Sequence, residues 1–220
     1  MIAEALHEIR SQLPEGVQLV AVSKFHPVEE LRTAYDAGQR LFGESHVQEM
    51  TAKQPLMPND TAWHFIGHLQ TNKVKYIAPY VSLIHAVDSL KLLREIDKQG
   101  LKAGRNIPCL LELHLAQEET KYGFSPEEIV QLLETETLDL PHVELRGLMT
   151  MATYTSDMRQ VHKEFQQARQ CFELVKRRFF PKQDNFCELS MGMSHDYMAA
   201  IEEGATIIRV GTKIFGKRRY

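Results

Sequence analysis

Eight short apolar runs, separated from one another by segments of helical periodicity, restrict the fold of this chain more than any other feature. They read "VQLVAVSK" (17–24), "RLFGES" (40–45), "WHFIG" (63–67), "SLIHAV" (82–87), "PCLLELH" (108–114), "ELRGLMTM" (144–151), "FCELSM" (186–191) and "TIIRVG" (206–211). Such runs suit strands, and the segments between them suit helices. Strands joined through helices pair in parallel, because a parallel pair needs a long crossover. Eight repeats are the number that closes a barrel. An open doubly wound sheet is the alternative, and it usually carries a glycine-rich turn after its first strand. The turn here, "SKFHPVEEL", has no glycine. The expected fold is α/β: a single (β/α)8 TIM barrel over residues 1–220, with an extra helix at the N-terminus.

Helix ends carry their own signals. "FSPEEIVQLLE" places Ser125 as N-cap, Pro126 at the first helical position and Glu128 three residues after the cap, a capping box. Gly38 and Gly204 follow helical stretches, where a left-handed residue is wanted. Asp157 can cap a long helix ending near Arg178.

Composition narrows the classes of function. The net charge of -3 gives no basis for a nucleic-acid partner. The basic cluster "GKRRY" reads as a solvated tail. No apolar run reaches the ~18 residues of a membrane span. The first residues form an amphipathic segment with acidic residues, unlike a signal peptide. Cys109, Cys171 and Cys187 form no C-x-x-C pair and read as reduced, mostly buried thiols of a cytoplasmic protein.

In a parallel barrel, chemistry gathers at the C-terminal ends of the strands. The first run ends in Lys24, an amine at the end of an apolar strand. A partly buried ammonium is destabilised, which makes the neutral, nucleophilic amine available for Schiff-base chemistry. The last two loops point to what it would meet. Phosphate sites in barrels are commonly built after strands 7 and 8. "LSMGMSHD" supplies the hydroxyls of Ser190 and Ser194, with Ser194 as an expected N-cap, and "RVGTKIFG" supplies Gly211 and Thr212. A ligand with an aldehyde at one end and a phosphate at the other fits: pyridoxal 5'-phosphate.

The same residues carry a resemblance. "AVSK", "FGE..VQE", "WHFIGHLQTNK", "EETKYGF", "GLM", "LSMGMS.D", "AI..G.T.IRVG" and "IFG.R" resemble the pyridoxal-phosphate homeostasis protein family, related to the barrel domain of alanine racemases. The resemblance spans nearly the whole chain. It implies an alanine-racemase-like barrel in which Lys24 forms the covalent aldimine and Arg209 faces the pyridine nitrogen. Ser190, Ser194, Gly211 and Thr212 would lie where the phosphate is held. Met149, from "GLM", joins this cofactor-binding set, although Met149, Met151, Met191 and Met193 also read as interior packing. The chain departs from the family pattern at Phe25, at Ser45-His46 and at His114-Leu115-Ala116.

The expected function is a non-catalytic carrier of pyridoxal 5'-phosphate, storing it on Lys24 or delivering it to apo-enzymes. The alternative is a catalytic amino-acid racemase. Two arguments favour the carrier. An always-charged Arg209 disfavours a protonated pyridine nitrogen, the form that serves as electron sink. Racemisation also needs acid/base groups on both faces of the substrate carbon. In alanine racemases the second comes from a further domain, and here none is expected beyond the eighth strand. Lys121 is a candidate relay for release. The family implies a monomer or weak dimer. A metal-dependent hydrolase is disfavoured: strand 1 has no histidine, and "HFIGH" lacks the H-E-x-x-H form. His64, His85 and His114 are expected to be hydrogen-bonded rim or core residues.

Overall fold

Each expected strand is present in the computed structural model, which describes residues 1–116, 122–135 and 139–217. The strands are β1 (Gln18–Val22), β2 (Leu41–Glu44), β3 (Ala62–Phe65), β4 (Leu83–Val87), β5 (Ile107–Leu113), β6 (Val143–Thr150), β7 (Glu188–Ser190) and β8 (Ile207–Val210). They pair in parallel in chain order, and β8 returns to β1, closing the barrel. The closing register runs from Gln18↔Ile207 to Ala21↔Val210.

Helix α1 (Ile2–Ser11) leads. Between successive strands lie α2 (Val28–Asp36), α3 (Val47–Lys53), α4 (Val74–Ile77), α5 (Leu90–Ala103), α6 (Pro126–Thr135), α7 (Met158–Phe179) and α8 (Tyr197–Glu202). The short α9 (Thr212–Phe215) follows β8.

Several local expectations hold at atomic detail. The Glu128 amide donates to the Ser125 hydroxyl at 3.1 Å, and the Ser125 amide donates to the Glu128 carboxylate at 2.7 Å, completing the capping box. Gly38 and Gly204 take φ of 87° and 89°, just past α2 and α8. Asp157 caps α7 by accepting from the Arg159 amide at 3.0 Å. Ser194 departs from expectation: the N-cap of α8 is Asp196. The Ser194 hydroxyl instead accepts from the Gly211 amide at 3.2 Å, so it joins two loops rather than starting a helix.

Strand β1 ends at Val22, two residues short of the expected run. Lys24 and Phe25 turn away from the ladder, and Phe25 has φ 66°, the left-handed region. That conformation costs a non-glycine residue on the order of 1–2 kcal/mol, so contacts around it must hold it there.

The main core lies between barrel and helices, built from side chains such as Phe42, Phe65, Phe165 and Phe186. A smaller apolar cluster fills the barrel interior: Val20, Leu83, Leu110, Met149 and Ile207. Residues two positions further along those strands share the inward face. They are Val22, His85, Glu112, Met151 and Arg209, so His85, Glu112 and Arg209 bring polar groups into the interior toward the C-terminal ends. Cys109 and Cys171 are buried, whereas Cys187 is exposed, and all three are free thiols. No helix among the described residues is long and apolar enough to cross a membrane. Lys121 lies outside the described residues.

Gly147 is the tightest point of the wall. It has φ 151°, and a Cβ there would stand 1.7 Å from the Glu188 carbonyl oxygen, where β6 pairs β7. Gly147→Ala should therefore lower the unfolding free energy by more than about 3 kcal/mol. Ser125→Ala, which removes only a cap, should lower it by about 1 kcal/mol. Urea titrations of the two variants measure both values.

Candidate functional site

A cleft of about 710 Å³ opens at the C-terminal end of the barrel. Val22 and Lys24 line it from β1 and its turn, Ser194 and His195 from the loop after β7, and Gly211, Thr212 and Lys213 from the segment after β8. Arg209 also lines it, from β8. Val20 and Val22 face inward along β1, and Lys24 lines the cleft from the turn that follows the strand.

The two late loops are held together locally. The Ser194 hydroxyl engages the Gly211 amide, as above, and the Asp196 carboxylate accepts from the Met193 amide at 2.5 Å. Gly211 permits the approach to β1, since a Cβ there would lie 3.0 Å from the Val22 carbonyl oxygen. Lys213 stands over the Tyr197 ring at 4.6 Å, and Tyr197 donates to Gln12 at 3.0 Å.

Beneath the cleft runs a buried polar chain. Arg209 donates to the Ser190 hydroxyl at 2.6 Å and to the Thr150 carbonyl at 2.9 Å. Ser190 is bonded to His85 Nδ1 at 2.9 Å, and His85 Nε2 to His64 Nδ1 at 2.9 Å. Burial pushes the His64 pKa down to about 4 and His85 well below its ordinary value, so both rings are neutral near pH 7. Burial also lowers Arg209, to about 10, against the pull of Asp196 and Glu112. The guanidinium is therefore the retained cation of this layer. Two neutral imidazoles and a hydroxyl orient it without adding a second charge.

Five of the seven residues expected to bind cofactor line this cleft: Lys24, Ser194, Arg209, Gly211 and Thr212. Ser190 and Met149 lie below it. Ser190 is fully buried and bonded to Arg209, which lines the cleft, and Met149 belongs to the interior apolar cluster. His64 and His85 are hydrogen-bonded core residues, and no cluster of His, Cys, Asp and Glu among the described residues is arranged to hold a metal ion. Sequence reasoning did not single out His26, Ile66, Met151, Tyr154, His195 or Lys213 as cleft residues. Strand and turn parity could have flagged Met151, whereas the others depend on how loops fold back. Two departures from the family pattern meet: the Phe25 and His46 rings lie 5.2 Å apart.

Comparison with known proteins decides the family. Residues 1–219 match the family model for the alanine racemase N-terminal domain. A protein of Aquifex aeolicus named pyridoxal phosphate homeostasis protein is 43% identical over 204 residues, spanning 92% of this chain and 88% of that one. This chain belongs to the pyridoxal phosphate homeostasis protein family. A Schizosaccharomyces pombe protein of the same name is 39% identical, covering 99% of this chain and 93% of its own length. Among solved structures, PipY of Synechococcus elongatus PCC7942 with PLP bound superposes with a TM-score of 0.88 at 41% identity, covering 98% of this chain and all of that one. Alanine racemase of Clostridium difficile shares the fold, with a TM-score of 0.76 at 14% identity over 60% of its chain.

The buried carboxyls give the site a pH signature. Burial first, and Asp88 second, raise Glu112 to about 7 against the opposing Arg209. Burial likewise raises Glu44 to about 7. A carboxyl raised on folding binds its proton more tightly in the native state. Its contribution is full below about pH 4.5 and is lost as pH rises through about 7. Up to about pH 6.5 that loss is opposed by His64 and His85, whose lowered pKa values make stability rise with pH, so the wild-type protein should lose net stability from about pH 6.5 to 8. Glu112→Gln should remove from the wild-type profile a pH-dependent contribution of up to about 3 kcal/mol and leave the part due to Glu44. Thermal melts across this pH range measure the difference.

Proposed function

We propose that this chain binds pyridoxal 5'-phosphate and holds it reversibly on Lys24, as a carrier in the cytoplasm rather than as an efficient catalyst. The observation that carries this reading is the convergence, in one cleft, of an amine on β1 with the Ser194 and Gly211–Thr212 loops. An amine suits an aldehyde, and backbone amides and hydroxyls suit a phosphate. The residues present therefore fit the cofactor that the PipY structure contains.

The role of each group follows from its chemistry. Lys24 forms a carbon–nitrogen bond to the aldehyde carbon, and the carbonyl oxygen leaves as water. Gly211, Thr212 and Ser194 receive the phosphate. Arg209, locked by Ser190 and Thr150, presents a fixed positive charge at the cleft floor. Such a charge opposes protonation of a neighbouring ring nitrogen, which weakens carbanion chemistry. Bound in this way, the cofactor supplies reversible Schiff-base exchange with primary amines. Hydrolysis, or attack by another amine, returns Lys24 to its free form and releases the cargo for an apo-enzyme. The names of the curated relatives support the cofactor, and three free thiols suit a reducing compartment.

Equilibrium titrations test it. Lys24→Ala should lose the visible Schiff-base band and weaken pyridoxal 5'-phosphate binding at least about tenfold. Ser194→Ala should weaken pyridoxal 5'-phosphate about tenfold while leaving unphosphorylated pyridoxal nearly unaffected. Chiral analysis after incubation with amino acids completes the test. Racemisation well above that of free cofactor would replace the carrier reading with a catalytic one.

A further inference from the structure

A buried amine holds the backbone before Lys24 directly and the backbone after it through a carboxylate. Lys53, at the end of α3, is 6% exposed. Its ammonium donates to the Ser23 carbonyl at 2.8 Å, to Glu44 Oε1 at 2.8 Å and to Glu49 Oε1 at 2.7 Å. The same Glu49 oxygen accepts the Phe25 amide at 2.6 Å. The Ser23 hydroxyl donates to Glu44 Oε1 at 2.6 Å. The residue before Lys24 is thus held through its carbonyl and hydroxyl, and the residue after it through its amide. All of these bonds converge on Lys53 and the side chains of Glu44 and Glu49.

We propose that Lys53 is the positioning residue for the Lys24 amine, acting through Ser23 and Glu49. This rests on the assignment of Lys24 as the covalent anchor. Phe25 sits at φ 66°, which a phenylalanine keeps only where its surroundings over-determine it. The short bond from its amide to a carboxylate that is itself paired to Lys53 is such a constraint. The Ser23 carbonyl accepts both this ammonium, at 2.8 Å, and the His26 amide, at 3.1 Å, so Lys53 braces from α3 the turn that carries Lys24 into the cleft. An ordinary helix-end lysine would stay in water. A desolvated one with three oxygen partners is a costly arrangement, retained here where it sets the geometry of the neighbouring turn. Holding both flanking peptides fixes where the Lys24 side chain starts, and so how its nitrogen meets an aldehyde anchored at the phosphate end.

The test compares wild type, Lys53→Met, Lys53→Arg and Glu49→Ala, each checked for folding by circular dichroism. The readouts are the dissociation constant for pyridoxal 5'-phosphate and the pH midpoint of the visible Schiff-base band. Lys53→Met should weaken binding at least about tenfold and move the midpoint by about half a unit or more. Lys53→Arg should recover much of both. Glu49→Ala leaves Lys53 two other acceptors and should fold, and it should move both readouts in the same direction. Phe25→Gly removes the left-handed strain, so adding it to Glu49→Ala should shrink the loss. If Lys53→Met does not fold, the Glu49→Ala and Phe25→Gly pair decides. Folded variants with wild-type affinity and midpoint would overturn the role of Lys53. A wild-type protein that forms no Schiff base at Lys24 would instead overturn the anchor assignment itself.

Discussion

The pairing of β8 with β1 is the constraint on which the site depends. Lys24 and the Gly211–Thr212 segment lie at opposite ends of the sequence, and the ladder from Gln18↔Ile207 to Ala21↔Val210 sets them side by side. Closure also removes both sheet edges, so every strand end contributes to one rim. Glycine at 211 lets the last strand's exit pass against the Val22 carbonyl. A larger residue would push β8's exit away from β1 at the point where Lys24 and the Gly211–Thr212 segment line one cleft.

Charge inside the barrel is kept sparse. Arg209 remains cationic while buried because Asp196 and Glu112 lie near and two oxygens accept its bonds. His85 and His64 serve as neutral hydrogen-bonding groups in the same chain. A second buried cation, Lys53, is compensated separately by Glu44 and Glu49. The two networks flank the cleft at different places, one on its floor and one behind the β1 turn. Each converts a costly burial into a fixed orientation, a demand of binding sites more than of folding.

How far the sequence revealed this depends on the range of each interaction. Strand–helix alternation and the capping signals at Ser125, Asp157, Gly38 and Gly204 are local, and they were legible. The inward placement of Arg209 follows from period-two alternation, and the loops after β7 and β8 from barrel topology, whereas Lys24 reaches the cleft from a turn past the end of β1. Met149 shares that inward parity but lies one layer too deep, because its depth is set by register with neighbouring strands rather than by its own run. Ser194 resembles a cap by position, yet its loop bends toward Gly211 before α8 begins. By position alone Lys53 would be a solvated lysine in a last helical turn, which its partners Ser23, just past β1, and Glu44, on β2, contradict. No local pattern encodes those long-range bonds.

The central claim is that Lys24 is the covalent anchor. Borohydride reduction of the protein loaded with pyridoxal 5'-phosphate, followed by peptide mapping, tests it most directly. The account predicts one dominant modified peptide, with the reduced adduct on Lys24. A modification spread over surface lysines, or centred on another lysine such as Lys213, would contradict it.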